Sequence, residues 1–441
     1  MLGHDSAVRH DAIPSDASPG RRCATTHEET MPKTRIAIAC QGGGSHTAFT
    51  AGVLQRLLDG PEIDEFDLVG LSGTSGGAVC ALLAWTALRE GDRHRARPLL
   101  DAFWADNSAS TPLDVAANAW LMWAATLQST GWLPQVSPYD LPVDGLAEFR
   151  ALLTRRVDFA EFTPDPDGPL LVVGAVDVLS GKFRAFHSYH EAITPDMVLA
   201  SAAIPNVFPA VHTDGGTFWD GLFSQNPPVH ELLDAAPDEL WVIQINPTAR
   251  AEEPRTVLDI ADRRNELSGN LSLYQELHGI EVIDRLLADG VLVGSRYKHI
   301  TVRVLEFARP PSTRLLGSTS KLNRDARFLK ELMTQGERQA EEFLATLGFE
   351  SAWRAKDVEA VLGHLAPDVQ LTVAGPFAGV GGDAHARIAE LCRTAAMDLT
   401  RKQLTRDRAV WDVRLPEGPA GSRGRIEAEI VDGKVTRLRF S

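Results

Sequence analysis

Cysteine is scarce in this chain: four residues in 441, at Cys23, Cys40, Cys80 and Cys392, too few and too scattered for a disulfide framework or a C-x-x-C metal site. A reducing compartment suits such usage, and the expectation is a cytoplasmic protein, at most peripheral to a membrane or lipid surface. Long apolar runs are missing too. The richest, Val115 to Leu127, is interrupted by Asn118 and falls short of the roughly 18–20 apolar residues of a spanning helix. Met1 to Lys33 mixes Asp, Glu, His, Arg, Ser and Pro without an apolar stretch, so it does not resemble a secretion signal and is expected to be a disordered leader. Positive charge is in deficit, 44 Lys and Arg against 59 Asp and Glu, so the net charge of −15 argues against nucleic acid as the bulk partner.

What is present is a globular composition, 44% hydrophobic and 23% charged, with length for roughly three domains at about 150 residues each. No internal repeat and no low-complexity tract beyond the leader interrupts it. Arg35 to Cys40 predicts a strand running into Gly42-Gly43-Gly44, followed by a helical pattern with Phe49, Val53, Leu54 and Leu57 on one face. The unit repeats as a buried strand at Phe66 to Leu71, a tight turn at Gly73 to Gly77 and a small-residue helix at Ala78 to Leu88. Strands alternating with helices predict a parallel sheet covered on both faces. Leu170 to Phe186 reads as a hairpin, Thr194 to Ala203 as a helix and Glu239 to Ile245 as a buried strand. From Arg255 to Leu347 the pattern is helical. Beyond Phe349 an amphipathic helix and four strand-like runs predict a separate α+β unit.

Gly73-Thr74-Ser75-Gly76-Gly77 satisfies G-x-S-x-G between a strand and a helix, the setting of a nucleophile elbow. Side chains at Gly73 and Gly77 would collide with backbone, and Ser75 is lifted into a strained conformation with its hydroxyl presented. As a bare pattern it would describe any tight strand-to-helix turn; the surrounding elements favour the nucleophile. The loop Gly42-Gly43-Gly44 lets backbone N–H groups approach a developing oxyanion, with Gly76 assisting; removing one such donor costs about 2.7–4 kcal/mol in known cases. A dinucleotide loop is disfavoured because Thr47 stands where G-x-G-x-x-G needs glycine. The base is less determined. Asp220 and Asp214 both precede glycine, and a triad in hydrolase order would draw on His230, His278 or His299.

These motifs together, with Ser201-Ala-Ala-Ile-Pro205 and Asp220-Gly ahead of Asn226-Pro-Pro-Val229, resemble the patatin-like phospholipase family over about residues 35–245, and more loosely to 347 through R-x-N-E-L-S-x-N ending at Asn270. The resemblance implies a three-layer α/β sandwich with a mainly parallel central sheet, a Ser75–Asp220 dyad, an oxyanion hole from Gly42, Gly43, Gly44 and Gly76, a lipid ester substrate, and neither cofactor nor metal. His46 departs from it, standing where many members carry Arg or Lys, and leaves phospholipid preference open. Residues 349–441, with A-W-R-A-K-D-V-E-A-V-L at Ala352 to Leu362 and V-D-G-K-V-T-R-L-R at Val431 to Arg439, resemble the nuclear-transport-factor-2-like cone of SnoaL type, a fold used for small enzymes, ligand pockets and dimerisation. Homo-oligomers through that unit are therefore one expectation; Trp353 is expected in its core and Asp357 on its helix surface.

The domain reading is a leader over 1–33, an acyl hydrolase over 34–347 with a helical extension from about 255, and the cone over 349–441. Three functions stay open: a serine lipid acyl hydrolase, a hydrolase, thioesterase or acyltransferase of another hydrophobic ester such as a storage polyester, and a regulatory protein with a vestigial dyad. Trp104, Trp120, Trp123 and Trp132, four of nine tryptophans, fall between elbow and hairpin, where they suit either a lipid-touching cap or a buried helix.

Overall fold

Strand β1 (Thr34–Cys40) is buried on both faces from Ile36 onward, and its alternation divides those residues between two cores: Ile36, Ile38 and Cys40 in one, Ala37 and Ala39 in the other. A run that is apolar on both sides belongs at the centre of a parallel sheet. The chain continues through α1 (Ala48–Asp59), β2 (Phe66–Gly73), α2 (Gly76–Arg89), α3 (Ala96–Asn107), α4 (Pro112–Ser129), α5 (Gly145–Thr154), β3 (Leu170–Asp177) and β4 (Phe183–His187). Next come α6 (Pro195–Ala202), β5 (Val211–Thr213), β6 (Gly216–Asp220), β7 (Glu239–Gln244), α7 (Val257–Ala288) and β8 (Thr301–Glu306). The remainder is α8 (Ala326–Arg354), α9 (Val358–Gly363), β9 (Leu365–Val373), α10 (Ala384–Thr394), β10 (Asp398–Thr405), β11 (Arg408–Arg414), β12 (Arg423–Val431) and β13 (Lys434–Phe440). The computed structural model describes residues 33–134, 136–140, 144–294, 297–307, 316–374, 383–394, 398–405, 408–414 and 423–441; the expected leader lies outside them except for Lys33.

The centre of the sheet, β3-β2-β1-β7-β8, is parallel throughout, with β4 and β6 antiparallel to β3. Cys40 lies level with Gly73 on one side and Ile243 on the other, so the loops leaving β1, β2 and β7 emerge along one carboxyl edge. That edge is where open α/β sheets gather their ligands. One face carries α1, α2, α3 and α8; the other is packed by Leu273, Leu277 and Ile280 of α7 with Leu232. Helices α1 and α8 touch backbone to backbone: a Cβ on Gly52 would stand 1.9 Å from the Met333 carbonyl oxygen, and one on Gly336 would stand 2.1 Å from that of Phe49.

Two expectations change. The stretch 255–347 is not wholly helical, because Thr301–Glu306 pairs in parallel with β7 from Glu239 to Gln244. Its six residues are too short to announce a strand between two long helical patterns. The chain also crosses 347–349 inside α8, without a break, and Phe349 and Trp353 continue the core that contains Phe343. Strand β10 extends the ladder by pairing Lys402–Leu404 with Arg303–Leu305, and β11, β12 and β13 follow antiparallel. Thr34–Ser441 is accordingly one compact unit in which a second, mostly antiparallel sheet segment adjoins the parallel one. Trp353 is fully buried and Asp357 caps α9, accepting from the Ala360 N–H at 3.0 Å.

Candidate active site

Between β2 and α2 the chain turns within two residues. Ser75 sits at φ 58°, ψ −131°, a left-handed backbone that costs a β-carbon-bearing residue energy and persists only where surroundings enforce it. They do so here by contact: a Cβ on Gly73 would lie 2.5 Å from the Gly77 carbonyl oxygen, and one on Gly77 would lie 2.4 Å from that of Cys40. Two hydrogen bonds finish the turn. The Ser75 N–H donates to Ser201 Oγ at 2.9 Å, which fastens it to the last turn of α6, and Thr74 Oγ1 donates to the Gln225 carbonyl at 2.7 Å.

Asp220 closes β6 opposite Ala175, and its N–H donates to the Ala203 carbonyl at 3.0 Å. The fold thus brings it to the elbow: the Ser75 hydroxyl is near enough to pull the carboxyl's pKa down, and Oδ1 accepts the Leu222 N–H at 2.8 Å. Burial dominates its titration and pushes the carboxyl up from 3.8 to about 6, against the opposing pull of the Leu222 N–H, the Ser75 hydroxyl and the Lys321 charge. Asp214, the rival by spacing, is a turn residue between β5 and β6 at φ 48°, paired with Arg184 at 2.7 Å. The triad candidates lie with other partners or in solvent: His299 is 2.9 Å from Asp284, His278 is 3.6 Å from Glu281, and His230 is exposed.

The glycine loop abuts this pair. A Cβ on Gly42 would be 3.1 Å from Ser75 Cβ, and one on Gly76 would be 2.9 Å from the Gly44 carbonyl oxygen. Gly44 opens a 3-10 turn and Gly76 opens α2, so their amides have no intrahelical acceptor. Gly42 is the exception among the expected oxyanion donors. Its N–H is taken by Asn226 Oδ1 at 2.7 Å, so it fixes the loop rather than facing a substrate.

Sequence reading missed the residues that hold this loop. Gln41 Oε1 accepts the N–H groups of Ile245 and Asn246, both at 2.8 Å, while its Nε2 donates to Asn270 Oδ1 at 2.9 Å and to the Gly269 carbonyl at 3.0 Å. It therefore ties β1, β7 and α7 together beneath the site. Lys321 was also missed. Its Nζ donates to Asn246 Oδ1 at 2.8 Å and Asn265 Oδ1 at 2.6 Å, its carbonyl lies against Gly44, and its charge acts on Asp220. A lone lysine outside any motif gives no signal in sequence. His46, the departure noted above, is buried, and its Nε2 lies 2.8 Å from Ser320 Oγ; since that hydroxyl donates to the Gly317 carbonyl, the imidazole is the donor. Among the described residues one group has metal-ligand spacing, His187, His190 and Asp234, with ligand atoms within 4.8 Å of one another; it shares no residue with the Ser75 site.

Residues 38–233 match the family model described as patatin-like phospholipase, a span that contains the glycine loop, the elbow and Asp220. This stretch is a patatin-like phospholipase domain. It supports lipid acyl hydrolysis as the general activity of the chain. Comparison with curated proteins gives no match. Solved structures similar to part of the chain include proteins described as nuclear-transport-factor-2-like. One from Cytophaga hutchinsonii has 12% identity and a TM-score of 0.19, covering 23% of this chain and 88% of that one. Another from Burkholderia xenovorans has 18% identity and a TM-score of 0.19, with the same two shares, 23% and 88%. A third, from Mesorhizobium loti, has 16% identity and a TM-score of 0.20, again covering 23% and 88%. No helix among the described residues is long and apolar enough to cross a membrane.

Proposed function

We propose that the patatin-like domain hydrolyses carboxylic esters of phospholipids or related lipids through a Ser75–Asp220 dyad and an acyl-enzyme. The observation that carries this reading is the strained elbow conformation of Ser75 beside the buried carboxylate of Asp220, whose pKa the Ser75 hydroxyl lowers. With its carboxyl near 6, Asp220 is ionised at neutral pH and basic enough to take the hydroxyl proton as Oγ attacks the ester carbonyl. The Oγ–C bond forms, and the carbonyl pair moves onto an oxygen received by the amides of Gly43, Gly44 and Gly76. Collapse expels the alcohol, which takes the proton from Asp220. Water then attacks the acyl-enzyme as Asp220 accepts its proton, and collapse breaks the Oγ–C bond, releasing the carboxylic acid as Asp220 returns the proton to Ser75 Oγ.

The test is a fluorophosphonate probe together with a panel of lipid and non-lipid esters analysed for products. Wild-type protein is expected to label and to release fatty acid, and Ser75→Ala to do neither. Turnover retained by purified Ser75→Ala would falsify the dyad. Transfer to an added alcohol in place of hydrolysis would move the reading to acyltransfer.

A further inference from the structure

Helix α4 is hardly packed. Of its 18 residues only Asn118 and Ala124 are buried, and Leu113, Trp120 and Trp123 are 79%, 65% and 58% exposed. At roughly 100° per residue, Leu113, Ala116, Trp120, Trp123 and Leu127 all fall within about 40° of the direction opposite Asn118. Leu113, Ala116, Trp120 and Trp123 form an exposed apolar stripe, with Leu127 half-buried at its end. Beyond the helix Trp132 is 81% exposed and Tyr139 is 64% exposed. A soluble surface rarely gathers so much contiguous apolar area without a partner.

The stripe is placed near the site. Asn118 Nδ2 donates to Asn323 Oδ1 at 2.9 Å, and its Oδ1 accepts the Arg324 N–H at 2.9 Å. Those partners directly follow the turn Thr319–Leu322, whose Lys321 carbonyl lies against Gly44 of the glycine loop. Whatever α4 docks on is therefore brought to the segment that borders Ser75.

We propose that α4 seats this protein on a zwitterionic phospholipid surface. The choice of lipid rests on the hydrolase reading above; the choice of headgroup rests on charge and on indole. No charged residue occurs from Val115 to Tyr139; of the two acidic residues that flank this stretch, Asp114 is engaged with Thr111 at the capped end of the helix and Asp140 is exposed. An uncharged stripe on a chain of net charge −15 gains nothing from an anionic surface, which would repel the rest of the molecule. Exposed Trp favours the headgroup boundary, where the ring is buried and the N–H stays wet, over bare oil. The depth is that of an interfacial helix, not of a spanning one.

The experiment is flotation with phosphatidylcholine vesicles, using the full chain carrying Ser75→Ala so that binding is read without turnover. Binding is expected to persist in about 0.5 M NaCl, to weaken when phosphatidylserine is added, and to fall roughly tenfold or more in Trp120→Ser/Trp123→Ser. That pair, made in the wild-type background, is expected to keep wild-type hydrolysis of a soluble short-chain ester, which shows the fold intact. Vesicle binding unchanged by the double substitution overturns the proposal. So does a dimer that the double substitution converts to monomer without vesicle binding, since the stripe would then meet a second copy. Wild-type protein that takes no fluorophosphonate label, while the Ser75→Ala chain binds vesicles as expected, would remove the dyad and leave the docking surface standing.

Discussion

The Gly42 N–H donates to Asn226 Oδ1 at 2.7 Å, and the other end of the same amide, Asn226 Nδ2, donates to the Gly269 carbonyl at 3.0 Å. One side chain thus clamps the glycine loop to the turn after Asp220 and to helix α7, and so couples the proposed oxyanion donors to the proposed base. Asn226→Ala leaves a buried N–H without its acceptor, worth about 1–3 kcal/mol. The expected outcome is a fall in kcat of roughly tenfold to a hundredfold with KM little changed, since the donors matter most in the transition state. Steady-state kinetics on a soluble ester check it, beside a denaturant curve showing a folded protein. A KM effect alone would mean that the clamp shapes substrate binding instead.

Much of this site was legible in the sequence, and the reasons are local. Gly73, Ser75 and Gly77 announce the elbow because a turn so tight excludes Cβ atoms at both glycines, which is a constraint on adjacent residues. Asp220 was chosen over Asp214 only through resemblance, since β6 must fold across β3 before spacing means anything. Ser201, quoted for its motif, proved to accept the Ser75 N–H, a role no pattern specifies. Gln41, Asn226 and Lys321 act through contacts between distant segments, and single polar residues in loops have no periodicity to betray them. The tryptophans split in the same way: Trp104 is 4% exposed and packs on Phe103, whereas Trp120 and Trp123 face outward. Apolar composition alone does not choose between these two fates.

The carboxyl of Asp220 sets a pH signature of opposite sign for activity and for stability. Activity needs the ionised base, so kcat/KM is expected to rise with pH through a midpoint of about 6 and then level. Stability runs the other way. Its folded value lies above the ordinary 3.8, so folding prefers the protonated form. That contribution is fully present below 3.8 and is lost as pH rises through about 6. The difference corresponds to roughly 3 kcal/mol. Asp220→Asn, always neutral, is therefore expected to be inactive yet more stable than wild type at pH 8, with the advantage vanishing toward pH 4. Thermal denaturation of both proteins across that range checks it; an Asn variant no more stable at pH 8 would show that the carboxylate is well solvated.

Lys321 opposes the burial of Asp220 with a positive charge. Lys321→Met is expected to raise the midpoint of the acid limb above that of wild type and lower the rate at pH 7, and Lys321→Arg to restore the midpoint in part. The pH–rate profile separates this from a packing defect. A rate loss with the midpoint unmoved would assign Lys321 to holding Asn246, Asn265 and the Gly44 backbone rather than to the field at the base.

The last prediction concerns the seam between the parallel and antiparallel parts of the sheet. Arg303 of β8 is 4% exposed and bridges Glu239 of β7, at 2.5 Å, to Glu350 of α8, at 2.8 Å. Trp411 Nε1 of β11 donates to the same Glu350 carboxylate at 3.3 Å. Both glutamates hold the guanidinium's pKa above its ordinary value even though burial works against the charge. Replacing Glu350 by Ala leaves Arg303 with one of its two carboxylates and takes the acceptor from Trp411. Breaking a buried pair from one side costs about 3–5 kcal/mol, and the surviving Glu239 places the expected loss toward the lower end. Glu350→Gln keeps the shape and one acceptor oxygen, so it is expected to lose less. Because core residues run without interruption from Phe343 to Trp353 and Trp411, unfolding of Glu350→Ala by denaturant is expected to remain a single transition at lower midpoint. Two separated transitions, with ester hydrolysis surviving the first, would show instead that the carboxy-terminal segment folds independently of the patatin-like domain.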